Sequence, residues 1–165
     1  DPPLAAPFML PACAVTPPAG GAPNLREPSR STAALTPGDY GHVSFGSEST
    51  VTFAEGEYHF RSLSFGSKTE IEILGPIDLH VVEGVQFASR VEQQVAGGVQ
   101  PNQILYRLGG RGLDSASDTV LYGTFCAPSS TIALGSDSEL WGGAIGKDVK
   151  FGSNVLFLAD PAPVQ

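Results

Sequence analysis

Apolar and polar positions alternate along most of this chain, and the alternation comes in copies. Val43-Ser44-Phe45-Gly46-Ser47-Glu48-Ser49-Thr50-Val51 returns as Leu63-Ser64-Phe65-Gly66-Ser67-Lys68-Thr69-Glu70-Ile71. It returns again as Ile132-Ala133-Leu134-Gly135-Ser136-Asp137-Ser138-Glu139-Leu140 and as Val149-Lys150-Phe151-Gly152-Ser153-Asn154-Val155-Leu156-Phe157. A period of two within each copy sends successive side chains to opposite sides of a strand. Recurrence every 17 to 20 residues between adjacent clear copies is the signature of a solenoid.

The pattern predicts an all-β chain: a right-handed parallel β-helix (β-solenoid) of about six or seven coils. Val43, Phe45, Val51 and Phe53 point inward, as do Leu63, Phe65, Ile71 and Ile73. Stacking like on like at roughly 4.8 Å per coil builds a rod about 30 Å long. Phe45, Phe65, Phe87, Leu134 and Phe151 are expected to form an internal ladder. The Gly-Ser step is read as the corner, where glycine permits backbone angles denied to other residues. Weaker copies run through Val85-Gln86-Phe87-Ala88-Ser89 and Leu113-Asp114-Ser115-Ala116-Ser117, and residues 88–103 read as an insertion between coils.

Three parts follow. Residues 1–37 form a Pro-rich extended arm holding nine of the 14 prolines, a density that forbids helix and central strand. Its apolar cluster, Phe8, Met9 and Leu10, is more than a plain linker needs. Residues 38–158 are the solenoid, and 159–165 are a short tail.

Composition narrows the partners. A net charge of −8 argues against nucleic acid and anionic membrane surfaces, which need basic patches. No run is apolar enough for direct membrane insertion. Charged residues are only 16%, while Gly (20) and Pro (14) are abundant. The opening at Asp1, with no basic leader region, reads as a mature form whose leader has been removed. Cys13 and Cys126 lack metal spacing. In a Gly/Ser/Thr-rich chain poor in lysine they read as one disulfide of an exported protein, the alternative being two free buried thiols.

The succession Leu35-Thr36-Pro37-Gly38-Asp39-Tyr40, Phe53-Ala54-Glu55-Gly56-Glu57-Tyr58, Leu74-Gly75-Pro76-Ile77-Asp78-Leu79, Tyr122-Gly123-Thr124-Phe125-Cys126-Ala127-Pro128 and Leu140-Trp141-Gly142-Gly143-Ala144 resembles an uncharacterised bacterial exported β-solenoid domain. That domain is found in surface-anchored and pilus-associated proteins. The resemblance covers residues 35–158 and implies an extracellular or cell-surface location, with no catalytic residues to carry over. Bactofilins are similar in architecture only; the Pro-rich arm and the cysteine pair fit them poorly.

Candidate chemistry is sparse. Asp114 and Asp118, four apart in an expected strand, would share a face; they are weak Ca²⁺ candidates beside the plainer reading of a solvated acidic face. His42, His59 and His80 show no metal-ligand spacing and read as surface or corner histidines. No metal or cofactor is therefore expected. No nucleophile elbow or acid–base pair stands out, so no enzyme is expected. Ice binding favours a regular Thr array, whereas the outward positions here are mixed: Ser44, Thr52, Ser64, Glu70, Glu72, Ala133 and Lys150. Tyr122 and Trp141 offer a sugar-stacking platform or, more plainly, corner packing.

The reading is an exported structural subunit that self-assembles into a filament or surface layer. It would use its arm, through Phe8, Met9 and Leu10, or its open ends, through Leu156, Phe157 and Leu158. The alternative is a monomeric adhesin or carbohydrate-binding module recognising a surface glycan. More remote is an ice-binding or polysaccharide-degrading β-helix.

Overall fold

The computed structural model describes residues 13–159. Phe8, Met9 and Leu10 lie outside the described residues, as does the tail after Ala159. The chain folds as a parallel β-solenoid of about seven turns, with every strand pair parallel and one continuous sheet wrapped into three faces.

The first face is seven strands deep. Leu25, Val43, Leu63, Val85, Leu113, Ile132 and Val149 follow one another in register. The second face is equally deep, running from Ala33 through Val51, Ile71, Gln93, Leu121 and Leu140 to Phe157. The third carries Tyr40, Phe60, Val81 and Leu108 in one row. Its neighbouring row is Tyr58, Leu79, Tyr106, Phe125 and Ala144.

The ladder forms where the alternation places it. Phe45, Phe65 and Phe87 are buried and stack with ring centroids 5.3 and 5.2 Å apart. Ser115 takes the next place in the row and bonds Thr119 at 2.6 Å; buried Leu134 follows. Phe151 continues the register but is 50% exposed. The expectation of a buried Phe151 fails because no described coil lies over it.

Three other expectations shift. The first coil starts at Leu25, inside the segment assigned to the arm, and Thr32–Leu35 is its second strand. Pro23, Pro28 and Pro37 flank these strands at corners, where a missing N–H costs no ladder bond. The insertion is shorter than 88–103: Glu92–Val95 pairs with Glu70–Ile73, so the extra chain is 96–103, ending in a single 3₁₀ turn at Pro101–Gln103.

The corner glycines act differently from expectation. Gly46, Gly66, Gly135 and Gly152 do not adopt positive φ. A Cβ on Gly46 would lie 2.3 Å from the Ser29 backbone nitrogen, and one on Gly66 would lie 2.5 Å from that of Ser47. They are required because coils approach too closely for a side chain. The left-handed position lies two residues later and is never glycine: Arg30, Glu48, Lys68, Arg90, Asp118, Asp137 and Asn154 all have φ between 56° and 62°. Asp and Asn tolerate this region. Their neighbours in the column compensate partly through contacts such as Arg30–Glu48 at 2.9 Å and Asn154–Asp137 at 3.0 Å.

The ladder's energetics are directly measurable. Phe65→Ala is expected to lower stability by about 3–5 kcal/mol, as for other large-to-small core changes, and Phe151→Ala by less than about 1 kcal/mol. Urea denaturation of both variants reads the difference; equal losses would show the last coil to be as covered as the middle ones.

Candidate functional site

The third face is the chemically distinct part of the molecule. Its outward row runs Asp39, His59, His80, Arg107, Cys126 and Ile145, one residue per coil. Beside it runs Glu57, Asp78, Leu105 and Thr124. Strand alternation turns all of these away from the core. Parallel register then sets each against its equivalent in the next coil.

A strap, residues 13–24, lies across this row. Cys13 is bonded to Cys126, with Cα atoms 5.6 Å apart, on the fifth strand of the face. The Thr16 amide donates to His80 Nδ1 at 2.9 Å on the third. On the first, Gly41 donates to the Pro23 carbonyl at 2.8 Å and the His42 amide to Asn24 Oδ1 at 2.7 Å. The strap therefore runs down the rod and enters the first coil at Leu25. From Cys13 onward the arm packs on its own chain.

Under the strap the two histidines meet. Their ring centroids are 4.8 Å apart. His59 Nδ1 lies 3.0 Å from Asp39 Oδ1, and its Nε2 lies 3.0 Å from Glu57 Oε1. His80 Nε2 lies 3.3 Å from the same Glu57 oxygen and 3.5 Å from Asp78 Oδ1, yet makes no hydrogen bond. Burial holds the His80 imidazole below its usual range, against the pull of Asp78 and Glu57. Asp78 is itself held by Arg107 at 2.9 Å. Among the described residues, Glu57, His59 and His80 place three ligand atoms within 4.8 Å of one another.

The sequence expectation of isolated surface histidines thus fails for two of the three. A signal was present: Glu57-Tyr58-His59-Phe60 and Asp78-Leu79-His80-Val81 share the order acid, apolar, His, apolar, 21 residues apart. That is about one coil, so the histidines had to stack.

His42 differs. Its Nδ1 contacts Ser62 Oγ at 2.7 Å and Glu83 Oε2 at 3.9 Å. Hydroxyl and carboxylate compete for one nitrogen instead of flanking the ring, so no Ser-His-acid relay exists there. An open groove of about 460 Å³ beside it, lined in part by Ser64, Gln86, Gly110 and Arg111, holds no aromatic ring on which a sugar could stack.

The remaining candidates separate. Asp114 lies in Leu113–Ser115, but Asp118 sits in the following left-handed corner, so they do not share a strand face as expected. Tyr122 and Trp141 stack on the second face with centroids 5.9 Å apart, and Leu158 is next in the row. Tyr122 is half-buried and Trp141 is 37% exposed. At the last coil Leu156 and Phe157 are exposed at 47% and 42%, and Leu158 is half-buried.

No protein family matches the chain, and no curated protein matches it. Among solved structures, it is similar to a glycosylated ice-binding protein from Arctic yeast, with a TM-score of 0.50 and 20% identity. The match covers 86% of this chain and 53% of that one, so the chain spans about half that protein's length. At this identity the likeness shows the fold, a β-solenoid.

The strap rests on the Cys13–Cys126 bond. Peptide mapping without reductant is expected to recover the two cysteines linked within one chain. Replacing both by Ser should lower stability by about 4–5 kcal/mol in the chain-entropy account of a loop this long. Recovery of free thiols, or of a link between chains, would contradict the cis strap.

Proposed function

We propose that this chain is an exported, non-enzymatic structural module that associates with a second copy of itself through its last coil. The observation that carries the reading is the composition of that coil. Val149, Phe151 and Phe157 are 39–50% exposed, while their register equivalents Ile132, Leu134 and Leu140 are buried. Leu156 continues the outward row of Glu139 and is exposed beside them. Val149, Phe151 and Phe157 occupy interior register positions in the last described coil, whose strands are paired along one edge among the described residues.

The opposite end is less apolar. Its equivalents are Leu25, Glu27 and Ala33, with Leu35 buried. Continuing the stack head to tail would set Phe151 on Glu27 and Lys150 beside Arg26. Two last coils facing each other avoid both conflicts and form a self-complementary, two-fold contact. The geometry therefore favours pairing through the C-terminal ends over an endless filament. The extracellular or cell-surface setting is supported by the disulfide, which persists in oxidising compartments. The module would then belong to the kind of surface-anchored assembly that the sequence resembles.

The ice-binding alternative is weakened by the outward rows. On the second face Thr32 and Thr50 give way to Glu70 and Glu92, and Thr52 to Glu72. Charges at this density break up any ordered array. The third face is covered by the strap.

Sedimentation velocity across a concentration series tests the proposal. The wild-type chain is expected to dimerise. Phe157→Glu should be monomeric at the same concentrations with an unchanged circular dichroism spectrum, since its side chain is already partly exposed. A wild-type chain still monomeric at about 1 mM, where even a contact of some −4 kcal/mol would register, overturns the self-association reading and leaves the end to another partner.

A further inference from the structure

The geometry points to a binding site for one divalent transition-metal ion of the zinc class, held by Glu57, His59 and His80 beneath the strap. Imidazole nitrogens with a carboxylate oxygen form the donor set such ions take. Two donor separations already suit it: Glu57 Oε1 is 3.0 Å from His59 Nε2 and 3.3 Å from His80 Nε2. A tetrahedral ion with bonds near 2.0–2.1 Å sets its ligand atoms about 3.3–3.4 Å apart. All three atoms lie within 4.8 Å of one another, so modest side-chain motion closes the set.

Three independent features ask for a cation there. The first is His80 Nε2, which has no hydrogen-bond partner although the side chain is only 6% exposed, so that replacing its proton by a metal ion forfeits no hydrogen bond at that atom. The second is proton count at His59. Both of its nitrogens face carboxylate oxygens at 3.0 Å, and a neutral ring has one N–H to offer. In the metal-free ring Nε2–H donates to Glu57 and leaves the Nδ1 lone pair against Asp39. An ion taking the place of that proton sends it to Nδ1, where Asp39 accepts it. Asp39 then fixes the ring orientation as an outer partner of a metal ligand. The third is charge. Asp39, Glu57 and Asp78 carry three negative charges and Arg107 one positive, leaving two to be balanced while the histidines are neutral.

Binding is coupled to the strap. The Thr16 amide donates to His80 Nδ1, so the neutral ring carries its proton on Nε2. Ligation through Nε2 requires that proton to leave that nitrogen and Nδ1 to hold it. Nδ1–H then opposes the Thr16 N–H, and this strap contact must be given up. The Cys13–Cys126 bond keeps the strap attached meanwhile. Metal occupancy thus trades against one hydrogen bond of the strap, and the site reports to residues 13–24.

Titration of the full, oxidised chain with Zn²⁺ by calorimetry, and with Co²⁺ by visible absorption, tests the site. One ion per chain is expected, with the intense visible bands of four-coordinate cobalt. His59→Ala and Glu57→Gln should weaken binding at least tenfold with circular dichroism unchanged, since both side chains reach the surface. His42→Ala, outside the cluster, should bind as wild type. Thr16→Pro removes the competing N–H and should tighten binding several-fold. No saturable binding by the wild type at millimolar metal, or binding indifferent to His59→Ala and Glu57→Gln, overturns the site. Unchanged or weaker affinity in Thr16→Pro overturns the coupling to the strap.

Discussion

Everything in this molecule depends on the close register of one coil upon the next. Parallel strands about 4.8 Å apart force each residue onto its equivalent. Aromatic rings then stack as Phe45, Phe65 and Phe87 do, at 5.2–5.3 Å. The same spacing excludes a Cβ at Gly46 and Gly66, where the neighbouring backbone would lie 2.3 and 2.5 Å away. It also makes the interior corner a polar column. Ser49 and Thr69 bond carbonyls of the turn, and Thr119 bonds Ser138 at 3.0 Å, so buried hydroxyls remain satisfied.

Register has a consequence at the ends. Among the described residues, a middle coil is covered on both sides, whereas the first and last described coils are covered on one. The two ends differ in kind. The first coil puts Glu27 and Ala33 at ladder positions and keeps Leu35 buried; the last puts Phe151 and Phe157 there. The last described coil therefore exposes apolar side chains whose equivalents in the coil before it are buried.

Register also concentrates chemistry. Side chains turned outward on the third face form a column in which Asp39, His59, His80 and Arg107 succeed one another. The strap covers part of that column, leaving Asp39 exposed and His59 and Arg107 half-buried. It buries His80, directs one ring nitrogen, and leaves the other facing carboxylates without a bond. A disulfide at the far end keeps this lid from being lost as a unit.

The sequence by itself determined the parts that are periodic. Alternation at Val43–Val51 and its copies decides which side chains face inward, and the repeat decides that they stack, because register leaves no freedom once the period is set. The cysteine pairing was legible because only two cysteines exist. Tertiary structure decided what periodicity does not encode. Phe151 follows the ladder rule in sequence, yet its exposure depends on whether another coil lies above it. The corner glycines read as flexible hinges, but the spacing between coils shows them to be sites of close approach, with the strained φ passed to Glu48 and Lys68. The pairing of His59 with His80 was half legible, since the two acid-apolar-His-apolar segments lie one coil apart. Burial of His80 was not: a proline-rich strap has no period of its own, and its path over the third face follows from long-range bonds that local sequence cannot specify.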